Sequence, residues 1–77
     1  MTRDRDQLWT VVIEAHSIGR WAVPARTVEL EAASAFAARK AAVIGALADL
    51  GAPQSSEFVR SSTQYARATE ARAEDWS

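Results

Sequence analysis

Two short segments of this chain alternate apolar and polar residues, so each segment must bury one face against another element. In QLWTVVIEA, residues 7–15, the apolar side chains on one face are Trp9, Val11, Ile13 and Ala15. In ARTVELEA, residues 25–32, the apolar side chains that alternate with polar ones are Val28, Leu30 and Ala32. A period of two is typical of a β-strand with one buried side and one side in water. We therefore predict two antiparallel strands.

The segment ASAFAARKAAVIGALADLGAP provides a helix to cover them. Ser34 is a good N-cap, Gly51 suits the left-handed position after a helix, and Pro53 blocks continuation. The alanine-rich interior has high helix propensity, so we predict a helix from about Ala35 to Leu50. Its expected core face consists of two adjacent stripes, which are Phe36, Val43, Leu47 and Leu50, and Ala37, Ala41, Ile44 and Ala48.

The remaining face of this helix is small and almost uncharged, which favours close approach of a partner. A chain of 77 residues without cysteine has a small core and no disulfide or thiolate metal site to reinforce it. Self-association is the stabilising device that remains. We therefore predict a protein interface on this face, with Arg20 as a further contact. The predicted helix residues are Ala38, Ala42, Gly45 and Ala46.

The stretch between the two strands, residues 16–25, has a parity problem. Trp21 and Val23 are at odd positions, whereas the apolar residues of the second strand are at even ones. Pro24 stands at the change of phase, and a one-residue bulge near Pro24 and Ala25 would return both sets to a common face. The alternative is a long loop from His16 to Ala25. With the bulge, Trp21 and Pro24 are anchors of the fold, and residues 16–20 are an exposed tip.

The C-terminal segment is ambiguous between strand and helix. We predict a strand from about Phe58 to Thr69, because VRSST is poor helix material and a third strand would cover a sheet edge. A terminal helix in ARATEARAED is the alternative. The predicted fold is a small α+β domain with ββαβ order, an antiparallel sheet and one helix on one face; the alternative is ββα with a C-terminal helix. Residues 1–6 are expected to be a flexible tail, and residues 7–77 a single domain.

No set of residues predicts a catalytic, cofactor or metal site. His16 is the chain's one histidine, and we expect a solvated turn residue that is dispensable for stability, because no partner lies at a useful spacing. Glu29 and Glu31 share a strand face and are expected on its wet side. No glycine pattern suggests a phosphate-binding loop, and no second histidine, cysteine or spaced carboxylate cluster suggests a metal.

The predicted function is non-enzymatic: a small protein-interaction or assembly module that self-associates through the alanine face, an open sheet edge, or both. No cofactor and no small-molecule substrate are expected. The alternative is a nucleic-acid-binding accessory protein that uses Arg60, Arg67 and Arg72, although a net charge of -1 argues against it. No apolar run is long enough to span a bilayer, so we expect a cytoplasmic protein. The abundance of alanine and arginine suggests a GC-rich genome, and the pattern indicates no single family.

Overall fold

A computed structural model describes residues 7–71, so the predicted tail at residues 1–6 lies outside the described residues. The fold is a small α+β domain with an antiparallel sheet, as predicted, but it contains two helices and two additional short strands. In chain order, the elements are β1 (Gln7–Ile13), β2 (His16–Ile18), β3 (Trp21–Val23), β4 (Arg26–Ala32), α1 (Ala35–Leu50), α2 (Ser56–Thr63) and β5 (Ala66–Glu70).

The main sheet has the strand order β4-β1-β5, with both neighbours antiparallel to the central β1. Both strands predicted from alternation are present. The apolar side of β1 is buried, with Trp9, Val11 and Ile13 at 8%, 0% and 0% exposure. The Trp9 indole Nε1–H donates a hydrogen bond of 2.9 Å to the carbonyl of Ala32, so this large ring is buried without an unpaired donor.

Helix α1 has the predicted bounds and the predicted caps. The Ser34 hydroxyl accepts a hydrogen bond of 3.1 Å from the Ala37 amide. Gly51 has φ of +75°, and its amide donates to the Ala48 carbonyl while the Ala52 amide donates to that of Leu47. This pair of bonds is the Schellman motif, which satisfies carbonyls that a helix end would leave unpaired.

The orientation predicted for α1 is wrong. The helix places its alanines against the sheet, with Ala38, Ala42 and Ala46 at 0%, 5% and 4% exposure, whereas Phe36 is 61% exposed. Val43 and Leu47 are buried, as predicted. The physical reason is volume: bulky side chains already project from the sheet, so small residues on the helix fill the remaining space and allow close approach of the backbones.

The segment between β1 and β4 is a hairpin extension rather than a bulge or a long loop, so both predictions for it are wrong. Ile13 pairs with Arg26, and His16 pairs with Val23. Three positions separate the two pairs on both strands, so neither strand contains the extra residue of a bulge. In strict alternation Val23 would face away from Ile13, yet both side chains are buried. The hairpin must therefore twist between the β1-β4 pairing and the β2-β3 pairing.

Residues 14–15 and 24–25 lie at that twist of the hairpin, outside the strands. Pro24 has no N–H to donate to a ladder, which explains why pairing is interrupted there. Gly19 has φ of +57° and no other residue type among those described has positive φ, so Gly19 and Arg20 form a two-residue turn of type II′.

The strand predicted over residues 58–69 is half wrong. Its first part belongs to α2, which begins after the N-cap Ser55, whose hydroxyl accepts from the Phe58 amide. Val59, Ser62 and Thr63 are buried at helical spacing, so packing against α1 outweighs the poor helix propensity of this stretch. Its second part is β5, which covers one edge of β1 as predicted.

Candidate interaction surfaces

The side of the sheet opposite the helices is open in the part of the chain that the structure describes. Both helices contribute to the core that contains Trp9, Val11 and Ile13. The other side of β1 presents Leu8 and Val12, which are 39% and 42% exposed. These two apolar side chains form a short spine on the central strand.

Charged residues flank this spine differently on its two sides. The strand register places Glu31 beside Leu8 and Glu29 beside Thr10, both on β4. On β5, the register places Arg67 beside Val12. We call this surface the open sheet face; its residues are Leu8, Thr10, Val12, Thr27, Glu29, Glu31, Arg67 and Thr69. It is apolar along the centre, acidic along β4 and basic at one position of β5.

Arg67 already has a partner within the chain. Its Nη2 atom lies 2.9 Å from Oε2 of Glu14, and the two side chains are 71% and 57% exposed. An ion pair this exposed contributes little to stability, because water and salt screen it. The guanidinium therefore remains available for a second carboxylate.

The helix residues predicted as an interface do not form an outer surface. Ala38, Ala42 and Ala46 are buried in the core of the same chain and cannot contact a partner in this structure. Gly45 is exposed, and Arg20 is exposed at the hairpin turn. The structure therefore does not bring these five residues together on one side of the molecule.

The prediction that His16 is a solvated turn residue without a partner is wrong. His16 lies on β2, is partly buried, and its ring stacks on Tyr65 with centroids 4.3 Å apart and planes 12° from parallel. Its Nδ1 lies 2.6 Å from the Glu14 carbonyl oxygen, and its Nε2 lies 2.6 Å from Oγ of Ser62. The cluster thus joins the hairpin extension to α2 and to the start of β5.

The hydrogen-bond partners determine the tautomer of His16. A carbonyl oxygen only accepts, so Nδ1 carries the hydrogen and donates to Glu14. In the neutral ring Nε2 then accepts from the Ser62 hydroxyl. A serine that is hydrogen-bonded to a histidine is also part of many nucleophilic catalytic sites. Ser62 is 0% exposed, however, so no substrate reaches its hydroxyl in this structure.

The residues predicted as fold anchors lie where the hairpin extension meets the core. Trp21 is partly buried and packs against the core cluster. Pro24 is exposed between the two ladders. The three arginines of the nucleic-acid alternative do not share a surface in the described part: Arg60 is on α2, Arg67 is on the open sheet face, and Arg72 lies outside the described residues.

Sequence reasoning missed the apolar spine and the partners of His16. Leu8 and Val12 did leave a signal, because they place apolar residues on the side of β1 that strict alternation reserves for polar ones. Ser62 and Tyr65 left none, since they lie 46 and 49 positions beyond His16 and only the folded chain brings them near.

Comparison of the chain with protein-family models, with curated proteins and with solved structures found no match. Across residues 7–71, no helix is long and apolar enough to cross a lipid bilayer. In the same range, no group of three or more histidine, cysteine or acidic side chains is placed to hold a metal ion.

Proposed function

We propose that this protein is a self-associating interaction module that docks its open sheet face on the same face of a second copy. The observation that carries the proposal is the pair of exposed apolar side chains, Leu8 and Val12, on the central strand of a sheet that residues 7–71 leave uncovered on one side. A domain this short buries only about 60% of the surface of its unfolded chain, so burying further apolar surface would add stability.

The flanking charges favour one arrangement of the two copies. Two identical faces meet around a two-fold axis only when that axis lies in the plane between the sheets. An axis across the strands would set β4 over β4 of the second copy and bring Glu29 and Glu31 against the same carboxylates. An axis along the strands sets β4 over β5, where Arg67 lies.

The axis along the strands is therefore the favoured one, because it sets the acidic flank of each copy over the flank that carries Arg67 of the other. With β1 over β1, Arg67 lies over Thr27, which is the neighbour of Glu29 on the same face of β4. It also places β1 over β1 of the second copy. Leu8 then meets Leu8 and Val12 meets Val12 at the centre of the interface, where apolar contact contributes most to affinity.

The first test is sedimentation analysis from micromolar to millimolar concentration, with Val12→Lys as the variant. The wild-type chain is expected to reach the mass of a dimer, and Val12→Lys to raise the dissociation constant at least about tenfold, because two ammonium groups would face each other in the interface. Ile44→Lys is the matched control, since Ile44 is exposed to a similar extent, 36%, but lies on α1.

Three outcomes would overturn the proposal: a wild-type chain that stays monomeric at every concentration, equal dimerisation of Val12→Lys, or equal weakening by Ile44→Lys. Circular dichroism of each variant separates lost association from lost folding.

A further inference from the structure

A cleft between α1 and α2 collects cationic side chains that are distant in the sequence. Its volume is about 390 Å³, within the range of roughly 300–1,000 Å³ that is usual for ligand pockets. Its lining residues are Phe36, Arg39, Lys40, Ser56, Arg60, Thr63 and Gln64. The lining contains three cations and no carboxylate.

This concentration of positive charge contrasts with the whole chain, which has nine basic and ten acidic residues. Within residues 7–71 the ion pairs involve Arg26 with Asp49 and Arg67 with Glu14, so neither Lys40 nor Arg60 is neutralised by a carboxylate there. Like charges held together at a concave surface attract an anion.

Arg39 is held in place before any ligand arrives. Its Nε–H donates to the Ala66 carbonyl at 3.0 Å, and its Nη2 donates to the Thr63 carbonyl at 3.2 Å. Its remaining N–H groups are left for a ligand. A donor whose position is already fixed loses less conformational entropy when it binds.

Phe36 adds a flat apolar surface to the same cleft. It is 61% exposed, the largest value among the exposed large hydrophobic residues of the described chain. The Lys40 Nζ atom lies 6.0 Å from the centroid of the Phe36 ring. An exposed aromatic ring beside cations suits a ligand that combines a planar ring with negative charge.

We infer that this cleft binds a small phosphorylated ligand that carries a planar ring, which is the chemical class of the mononucleotides. The phosphate lies among Arg39, Lys40 and Arg60, and the ring stacks on Phe36. Ser56 and Gln64 offer a hydroxyl and an amide group for the polar edge of the ligand, whereas the buried Thr63 hydroxyl already donates to the Val59 carbonyl. The inference is independent of the open sheet face, and it departs from the sequence-based expectation of no small-molecule ligand.

The test is a titration of the ¹⁵N-labelled protein followed by NMR, with AMP, inorganic phosphate and adenosine as separate probes. AMP is expected to shift the amides that line the cleft and to bind at least about tenfold more tightly than inorganic phosphate, because stacking adds to the phosphate contacts. Adenosine alone is expected to cause no saturable shift.

Arg60→Glu is expected to abolish the AMP shifts. Arg20→Glu is the matched control, because it makes the same change of charge at the exposed hairpin turn and should leave the titration unchanged. Phe36→Ala should lower the affinity for AMP to that for phosphate. Lys40→Ala is a second variant at an exposed position, and the spectrum of each free variant shows whether it is folded.

The inference is overturned if AMP causes no shift localised to the cleft, if Arg60→Glu and Arg20→Glu titrate alike, or if phosphate binds as tightly as AMP. It is also overturned if a single-stranded oligonucleotide binds far more tightly than AMP, with shifts extending well beyond the cleft and a steep salt dependence. That result would assign the surface to nucleic acid.

Discussion

At the scale of single residues, His16 shows how distant contacts determine what a side chain does. Its one partner nearby in the sequence is the Glu14 carbonyl, which lies 2.6 Å from Nδ1. In the folded chain Nε2 lies 2.6 Å from Oγ of Ser62, and the ring stacks on Tyr65. The residue therefore holds the hairpin extension against α2.

We expect His16→Ala to lower the free energy of unfolding by about 2 kcal/mol, since two hydrogen bonds and one ring contact are lost and a buried hydroxyl loses its partner. Ser17→Ala is the control, because Ser17 is exposed on the same strand and its loss should cost less than about 0.5 kcal/mol. Urea denaturation measures both values. Equal stability of the two variants would contradict the role assigned to His16.

The hydrogen bond itself is tested by combining His16→Ala with Ser62→Ala. If the imidazole and the hydroxyl interact, the two losses are not additive, and the double variant is more stable than their sum predicts by about 1 kcal/mol. Additive losses would show that the two side chains stabilise the fold independently.

At the scale of elements, α1 shows that a row of small residues on a helix does not by itself indicate an outer interface. Ala38, Ala42 and Ala46 face a sheet whose own side chains are large, and together they fill one layer. The larger Phe36 and Ile44 remain exposed on the other sides of the helix. Side-chain size in one element is therefore decided by the size of what it packs against.

Ala42→Leu is expected to lower the free energy of unfolding by about 1–3 kcal/mol, because the added atoms have no space between α1 and the sheet. Ala41→Leu is the control, as Ala41 is exposed on the same helix and the two residues are adjacent. It should leave stability within about 0.5 kcal/mol of the wild type. Thermal unfolding of the two variants is compared at one protein concentration. If Ala42→Leu were as stable as the wild type, this face of α1 would not be packed against the sheet.

At the scale of the whole molecule, the helices cover one side of the sheet and leave the other side with an apolar spine between unlike charges. The proposed dimer follows from this asymmetry. Its favoured axis along the strands sets the Glu29 side of one copy over the Arg67 side of the other. The arrangement makes a prediction about pairs of charges as well as about apolar contacts.

Glu29→Arg and Arg67→Glu are each expected to weaken dimerisation, and the double variant is expected to restore much of it, because exchanging both charges restores opposite signs across the interface. Glu14→Gln is the control for the pair that Arg67 makes within its own chain, and it should leave the dimer intact. Sedimentation at low salt gives the dissociation constants of the wild type and of all four variants. Weakening that simply accumulates in the double variant would exclude the axis along the strands.

Several features of this protein follow from local sequence. The alternation in residues 7–15 and 25–32 predicted β1 and β4, and the caps Ser34 and Gly51 predicted both ends of α1. The hairpin turn at Gly19 was not predicted, although glycine at the first position of a two-residue turn is a local signal. Such features depend on neighbours within a few residues, whose backbone preferences and hydrogen bonds are nearly the same in any fold.

Other features depend on partners that the chain brings together only when it folds. The burial of the alanine face, the helix at residues 56–63, the contacts of His16 and the cationic cleft all join side chains from different elements. A weak helix such as α2 forms because its tertiary packing contributes more free energy than its poor helix propensity costs. Helix propensities of common residue types differ by only a few tenths of a kcal/mol per residue. The sequence by itself determined where β1, β4 and α1 form. The tertiary structure decided the remaining elements and which faces are buried, since burial is a property of pairs of surfaces and not of one segment.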